Sequence, residues 1–252
     1  MRLAQNPIIF QSQAPRRLYD NDVSIVHPPE TVVGRYFPIR RFITAVESGS
    51  LYFRRLDSFL DQLEGQPTQS LYEVEGDSML QWYESNRRFA FVSCWNLDDG
   101  ESNEMWNFYA QNEGVLLLST VSQLTAAFNT ATDDAGEIDG FNVGEVRYDD
   151  EINSVHELIS RPLSNLGPIF GKRRVYAWEN EYRIVMRPGS VTSEFLDSDA
   201  NENYDRQGVL LPVRFGNLIN SLVWRGASQT ELPALLDAHN LGHVPVHQSN
   251  HQ

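Results

Sequence analysis

The chain has 252 residues, of which 41% are hydrophobic, and this length and composition suffice for one domain with a buried core. Its 34 acidic and 20 basic residues give a formal net charge of −14, which disfavours diffuse binding to nucleic-acid phosphates or anionic membranes. The single cysteine, Cys94, excludes an internal disulfide and a cysteine-based zinc site, and no run approaches the ~18 apolar residues of a membrane span, so we expect a cytoplasmic protein without membrane contact.

The pattern of the sequence divides the chain into an N-terminal arm, a long regular region and a short tail. Residues 1–30 lack sustained periodicity, whereas residues 31–240 alternate strand-like and helix-like patterns that predict one domain. The run at 114–119 is continuously apolar, which is typical of a buried central strand. In chain order we predict strands at 31–36, 51–53, 88–95, 114–119, 143–148, 176–186, 208–213 and 219–224, and helical segments at 38–49, 78–83, 102–110, 121–129, 152–159 and 230–239. Residues 56–85 have a mixed pattern, in which the apolar residues at 56–63 stand at helical spacing.

Many short strands with scattered helices indicate the α+β class. We predict a single domain with a curved, largely antiparallel split sheet and flanking helices. Residues 241–252 predict a polar, histidine-containing tail. Although His239, His243 and His247 are four residues apart, a glycine and a proline between them break any helix that would align them, so we predict no metal site.

The segment 178–183, Trp-Glu-Asn-Glu-Tyr-Arg, is the most informative stretch for chemistry. On a strand, Glu179, Glu181 and Arg183 share one face, with same-face neighbours ~7 Å apart. One carboxylate at this spacing could hold a sugar hydroxyl and stabilise an oxocarbenium-like centre while the other removes a proton from an acceptor. The alternative interpretation is an ordinary ionic strand face turned toward solvent.

A second candidate is an aromatic pair on the predicted helix at 102–110. Trp106 and Tyr109 lie three residues apart and therefore share a helix face. Such a pair can stack on a base or a nicotinamide ring. The alternative is core packing.

A third candidate is Arg35, at the end of the first predicted strand and beside the start of the following helix. A guanidinium next to a helix N-terminus suits a pyrophosphate, because both favour an anion. Solvated surface arginines are the alternative interpretation for this region, especially for Arg40 and Arg41.

An ordered set of short motifs covers most of the regular region: Arg35-Tyr36, 47–52 (Glu-Ser-Gly-Ser-Leu-Tyr), 91–95 (Phe-Val-Ser-Cys-Trp), 105–109 (Met-Trp-Asn-Phe-Tyr) with Gly114-Val115, 178–183, and 219–226. In this order they resemble the bacterial family called domain of unknown function 2971, over about residues 31–240. The opening of that family is similar to the first motif of the ADP-ribosyltransferase superfamily, in which a histidine or arginine on the first strand helps to hold NAD. Arg35 occupies that position here, and Phe37 replaces the threonine of the motif.

The resemblance implies an ADP-ribosyltransferase-like fold and assigns roles to residues. Glu181 would bind the ribose hydroxyl and stabilise the oxocarbenium ion, and Glu179 would orient or deprotonate the acceptor. Ser93 would correspond to a Ser-Thr-Ser strand motif, from which Cys94 and Trp95 depart. The residues expected to contact NAD are Arg35, Tyr36, Ser93, Trp106, Tyr109 and Arg183.

The activity that the resemblance implies is that of an NAD-using ADP-ribosyltransferase or an NAD glycohydrolase, in a bacterial toxin or anti-phage effector. NAD would be the substrate, a protein or nucleic acid the acceptor, and an antitoxin or other regulatory partner would restrain the activity.

Two other functions stay open at the level of sequence. One is a non-catalytic module that senses a nucleotide or binds a protein through a cleft formed by Trp106, Tyr109 and Arg35. The other is a nucleic-acid-processing enzyme, which would need arginines to line a cleft beside the carboxylates. These arginines are Arg54, Arg55, Arg87 and Arg88.

The positions of the residues in the fold discriminate among the three functions, because the transferase requires Arg35, Ser93 and Glu181 to converge around one pocket.

Overall fold

The computed structural model describes residues 18–20, 27–68, 73, 77–98, 100–131, 138–150, 167–188, 208–226 and 231–250. The strands are β1 Leu18–Asp20, β2 Val32–Pro38, β3 Ser50–Arg55, β4 Phe91–Asn96, β5 Gly114–Thr120, β6 Ile138–Glu145, β7 Arg147–Tyr148, β8 Gly171–Lys172, β9 Glu181–Pro188, β10 Gly208–Pro212, β11 Ser221–Arg225 and β12 Val246–Gln248. The α-helices are α1 Ile39–Ser48, α2 Asp77–Arg88, α3 Asn103–Tyr109, α4 Val121–Ala131, α5 Phe215–Leu218 and α6 Glu231–Ala238, and 3₁₀ turns span Leu56–Ser58, Gly167–Phe170 and Arg174–Glu179.

Ten strands form one open, mixed and largely antiparallel sheet. Eight of them follow the order β1-β6-β9-β4-β2-β5-β11-β12, and β3 joins β4 on one side and β10 on the other. The pairs β1–β6 and β11–β12 are parallel, as is the separate two-stranded pair β7–β8. The predicted α+β class and largely antiparallel sheet are therefore confirmed.

The sheet divides beside β4. Near its end, Asn96 pairs with Gly34 of β2, whereas at its start Phe91 and Val92 pair with β3. Two different strands therefore border the same edge of β4.

The helix α1 follows from the spacing of its apolar residues. Phe42, Ala45 and Val46 recur at helical intervals and are buried against the sheet. The helix ends at Gly49, whose φ of 60° and ψ of 30° lie in the left-handed region that glycine adopts at low cost. The predicted helix at 38–49 is confirmed.

The predicted central strand at 114–119 is confirmed as β5. It lies between β2 and β11, and Val115, Leu116 and Leu117 are all buried. Because both faces of this strand are covered, its sequence is continuously apolar rather than alternating.

Side chains alternate between the two faces of β4 and β9. In the cross-strand register, Asn96 opposes Glu181 and Trp95 opposes Tyr182. Trp95 and Tyr182 belong to the large hydrophobic core, on the face that we call the core face. The opposite face carries Glu181 and Arg183, and we call it the ionic face.

The helical spacing of apolar residues at 56–63 corresponds to a helix only in its first turn. Only Leu56–Ser58 is helical, as a 3₁₀ turn. Here the Ser58 hydroxyl donates to the Arg55 carbonyl oxygen at 2.6 Å, and the Arg54 guanidinium donates to the Ser58 hydroxyl at 3.1 Å. Such local side-chain bonds compete with a helix.

Several boundaries also differ from those predicted. Arg88 ends α2 instead of starting a strand, β6 begins at Ile138 rather than at residue 143, and β11 begins at Ser221 rather than at residue 219. The arm contributes β1 and the tail contributes β12, both through parallel backbone pairing that side-chain periodicity does not encode. The predicted helix at 152–159 lies outside the described residues. No helix in the described ranges is long and apolar enough to cross a membrane.

Candidate functional site

A turn at Asn180 separates the two glutamates that we expected on one strand. Glu179 ends a 3₁₀ turn, Asn180 has φ 42° and ψ 55°, and β9 begins only at Glu181. The Asn180 side-chain amide donates to the Leu97 carbonyl oxygen at 2.7 Å, and the Leu97 N–H donates to the Asn180 carbonyl oxygen at 2.8 Å. The prediction of a continuous strand from residue 176 was therefore wrong, because asparagine tolerates the left-handed conformation that ends strand alternation.

The two glutamates nevertheless meet, on the Lys172 ammonium. Lys172 Nζ donates to a carboxylate oxygen of Glu179 and lies 3.3 Å from Glu181 Oε1. It also lies 3.7 Å from Glu64 Oε2. All four side chains are buried, so these charges interact with little screening by water.

Arg183 completes this group from β9. Its Nε donates to Glu181 Oε2 at 2.7 Å, and its terminal nitrogens donate to the Glu64 carboxylate and the Ile169 carbonyl oxygen. We call the set Glu64, Lys172, Glu179, Glu181 and Arg183 the glutamate cluster.

The environments of Glu179 and Glu181 move their pKa values apart. Burial, followed by the neighbouring Glu181 carboxylate, raises the pKa of Glu179 to about 7. Burial alone would also raise the pKa of Glu181, but Arg183 and Lys172 outweigh it and lower that pKa to about 2. In a pair with this split, Glu179 takes up a proton at a higher pH than Glu181 does.

Two tyrosines border the carboxylate pair. Tyr109 Oη donates to Glu179 Oε1 at 2.8 Å, and Tyr148 Oη accepts a hydrogen bond from the Glu181 N–H at 2.9 Å. Burial, followed by the nearby carboxylates, raises the pKa of both hydroxyls, so both stay neutral. Tyr109 therefore orients Glu179, and Tyr148 anchors the start of β9.

An ion pair outside the cluster positions the segment that carries Lys172. Arg173 donates to both carboxylate oxygens of Asp61, at 3.0 and 3.2 Å. The Lys172 ammonium lies 4.9 Å from the centre of the Tyr176 ring. The pair of Arg173 and Asp61 connects the loop that bears Glu64 to the chain around Lys172.

Arg35 and Ser93 lie together, but on the other face of the sheet. Arg35 Nη1 donates to Ser93 Oγ at 2.7 Å, and its Nη2 donates to the Tyr52 carbonyl oxygen at 3.0 Å. Trp95 Nε1 also donates to Ser93 Oγ, at 3.0 Å, which places this group on the core face. Because Glu181 belongs to the ionic face, Arg35, Ser93 and Glu181 do not converge around one site.

Tyr36 and Trp106 pack against each other in a smaller core, with ring centres 5.0 Å apart in an edge-to-face arrangement. Trp106 is fully buried and its Nε1 donates to Glu101, while Tyr36 Oη accepts from the Ser102 N–H. For Trp106 the structure agrees with the alternative of core packing, and of the predicted aromatic pair only Tyr109 reaches the glutamate cluster.

Of the four arginines that a nucleic-acid-processing enzyme would need, two are engaged by neighbours within the chain. Arg54 is bonded to Ser58, and Arg55 is paired with Asp57 at 2.6 Å. Arg87 is buried, whereas Arg88 is exposed.

No family model, curated protein or solved structure matches the chain. The resemblance to the domain of unknown function 2971 family therefore stays a prediction, as do the roles that it implies. Among the described residues, no group of three or more histidine, cysteine, aspartate or glutamate side chains is arranged to hold a metal ion.

Glu64 and Lys172 are members of the cluster that sequence reasoning missed. Lys172 is the only lysine of the chain, in a sequence that otherwise uses arginine, and this was the available signal. A compact ammonium can approach three carboxylates from one point, which a planar guanidinium does less well. Glu64 lies 119 positions from its partner Arg183, and no local pattern marks it.

The turn at Asn180 provides a test of how Glu179 is positioned. We expect Asn180→Val to lower the free energy of unfolding by about 1–2 kcal/mol, because a β-branched residue is strained at positive φ and cannot bond to Leu97. Asn180→Gly should be close to neutral, since relief of strain offsets the lost side-chain bond. Urea denaturation measures both, and equal losses for the two variants would contradict the role of the left-handed turn.

Proposed function

We propose that the protein cleaves the N-glycosidic bond of NAD, as an ADP-ribosyltransferase or an NAD glycohydrolase. The observation that carries the proposal is the buried carboxyl pair of Glu179 and Glu181, which meet on the Lys172 ammonium while Arg183 bonds to Glu181 alone. This asymmetry lowers the pKa of Glu181 and leaves the pKa of Glu179 raised. Such a division between two carboxyl groups is what glycosyl transfer uses.

In this proposal Glu181 stabilises positive charge. Arg183 and Lys172 keep its carboxylate ionised and hold it in place. A fixed negative charge in a poorly hydrated site stabilises an oxocarbenium-like sugar carbon more strongly than one in water.

Glu179 acts as the general base in this proposal. As the bond between the sugar carbon and the nicotinamide nitrogen breaks, its electron pair returns to the ring, and nicotinamide leaves as a neutral molecule. Water or an acceptor hydroxyl then attacks the sugar carbon, and its proton passes to Glu179. A pKa of about 7 suits a general base that operates near neutral pH.

The proposal keeps the predicted roles of the glutamates but changes the side on which NAD binds. Arg35 and Ser93 are on the core face, so contacts to NAD would come from the ionic face, where Tyr109 and the glutamate cluster lie. An ADP-ribosyltransferase-like fold is part of the proposal, and the division of the sheet beside β4 supports it.

A second candidate, a non-catalytic binding module, is favoured by the low accessibility of the carboxylates. Glu179 is 3% exposed and Glu181 is 5% exposed, and both are fully occupied by partners within the chain. A module of this kind binds a nucleotide without consuming it, so turnover discriminates between the two candidates. A macromolecular acceptor, a restraining partner and a role as a toxin or anti-phage effector belong to the catalytic proposal.

The test is the release of nicotinamide from NAD by the purified protein. We expect wild-type turnover, and a loss of about 100-fold or more in Glu181→Gln, because the glutamine side chain cannot stabilise the cationic sugar. Glu47→Gln is the matched control, since Glu47 is exposed on α1, away from the cluster, and this variant should keep wild-type turnover. Absence of both turnover and NAD binding would sink the proposal, and NAD binding without turnover would favour the module.

A further inference from the structure

Three exposed aromatic side chains lie together beside the glutamate cluster. Phe108 is 70% exposed, Tyr109 is 40% exposed and Trp178 is 38% exposed. The Phe108 and Trp178 ring centres are 5.2 Å apart, and those of Tyr109 and Trp178 are 6.4 Å apart, both at an interplanar angle of 37°. We call these three residues the aromatic patch. An exposed group of large rings costs solvation free energy and commonly marks a binding surface.

The aromatic patch is joined directly to the carboxyl pair. Trp178 is the chain neighbour of Glu179, and Tyr109 donates its hydroxyl proton to Glu179 Oε1 at 2.8 Å. A planar ligand stacked on Trp178 therefore lies beside Tyr109, whose hydroxyl is bonded to Glu179.

The charges around the aromatic patch favour a cation. The glutamate cluster contains three carboxyl groups and two cationic side chains, so it is negatively charged when all five groups are ionised. The nearest arginines on the same stretch of chain are neutralised, because Arg173 pairs with Asp61 and Arg174 lies 3.7 Å from Asp149. A cation above an aromatic face gains further from the ring quadrupole.

We propose that the aromatic patch binds a planar, positively charged heteroaromatic ring of the N-substituted pyridinium type, with Trp178 as the stacking residue. The inference deepens the proposed function and rests on it, since NAD carries such a ring. It names the part of the substrate that this surface recognises, and it makes Trp178 a specificity-determining residue. A neutral ring of the same shape keeps the stacking but loses the attraction to the carboxylates.

The test compares two probes that differ by one methyl group and one charge. The methylnicotinamide cation, with the methyl group on the ring nitrogen, and neutral nicotinamide are titrated into the full chain, with calorimetry as the readout. We expect the cation to bind about 5-fold tighter or more at pH 8, because it alone gains cation–π and carboxylate attraction. Equal affinities would overturn the proposal.

Variants at Trp178 locate the binding surface. Trp178→Leu should weaken binding of the cation by about 5-fold or more, whereas Trp178→Phe should retain most of it, because an aromatic face remains. Val175→Ala is the control, since Val175 is exposed on the same 3₁₀ turn but outside the aromatic patch, and it should bind as wild type does. Unchanged binding in Trp178→Leu would also overturn the proposal.

The NAD assay separates failure of this inference from failure of the proposed function. Cation binding that depends on Trp178, without any release of nicotinamide from NAD, supports the aromatic patch and contradicts the catalytic proposal. NAD turnover that is unaffected by Trp178→Leu supports the catalytic proposal and contradicts the aromatic patch. If both proposals hold, Trp178→Leu should raise KM for NAD more than it lowers kcat.

Discussion

Replacement of Arg183 by methionine is expected to lower the free energy of unfolding by about 3–5 kcal/mol, the cost typical of removing one partner from a buried ionic group. Arg183 is completely buried, and its guanidinium bonds to Glu64, Glu181 and the Ile169 carbonyl oxygen. Without it, the three buried carboxyl groups of the cluster share a single remaining cation, Lys172. Methionine has a similar length, so the loss reports the charge rather than a cavity.

Arg174→Met is the matched control for that experiment. The Arg174 side chain is 69% exposed and that of its partner Asp149 is 54% exposed, so solvent screens the pair and the expected loss is below about 1 kcal/mol. Urea denaturation at pH 7 measures both variants. Losses of equal size would show that the buried charges of the glutamate cluster contribute no more to stability than a surface ion pair does.

A double-mutant cycle refines the same prediction. Arg183→Met combined with Glu181→Gln should destabilise by less than the sum of the single changes, because each single change leaves the other charge unpaired. A coupling free energy of about 1 kcal/mol or more is expected. Additive losses would mean that Arg183 acts by packing alone.

The elements that could be predicted from the sequence are those whose own residues determine them. The helix α1 has an apolar face and a glycine at its end, and β5 is apolar throughout, so local patterns suffice for both. The short strands β1 and β12 form by pairing with partners far away in the chain, β6 and β11. No local pattern specifies such pairing.

The site was predictable only in part, for a related reason. Glu179, Glu181 and Arg183 do come together, as predicted. However, Glu179 reaches the cluster through a 3₁₀ turn and a left-handed residue, whereas the prediction rested on the alternation of side chains along one strand. Glu64 reaches the cluster from a loop more than a hundred positions away. Spacing along the chain carries no information about such a contact.

The order of motifs along a chain also does not specify which face of a sheet each one occupies. Ser93 and Cys94 are adjacent, yet Ser93 contacts Arg35 on the core face while Cys94 opposes Arg183 on the ionic face. A shift of one residue along β4 changes the face. The order of Arg35, Ser93 and Glu181 along the chain was therefore consistent with a shared pocket, but their positions in the folded protein are not.

Glu179→Gln is expected to remove a pH dependence of stability that the wild type shows between about pH 4.5 and pH 7. Burial and Glu181 raise the pKa of Glu179 from 4.5 to about 7, so the folded state binds this proton more tightly than the unfolded state does. The stability that this group contributes is fully present below about pH 4.5 and is lost as the pH rises through about 7. The loss amounts to about 3 kcal/mol, from 1.36 kcal/mol for each unit by which the two states differ.

The contribution of Glu181 to stability changes with pH in the opposite direction and over a separate pH range, so the two glutamates can be distinguished. The pKa of Glu181 is lowered to about 2, so its contribution is present above about pH 4.5 and is lost only as the pH falls toward 2.

Urea denaturation from pH 4.5 to pH 8 should show falling stability in the wild type and in the Glu47→Gln control, and a nearly flat profile in Glu179→Gln. If Glu179 is also the general base, nicotinamide release in the wild type rises through the same range in which stability falls, because ionisation of one carboxyl group drives both changes. A Glu179→Gln profile that falls as the wild-type profile does would mean that Glu179 is already ionised at pH 5, and the division of roles between the two glutamates would then fail with it.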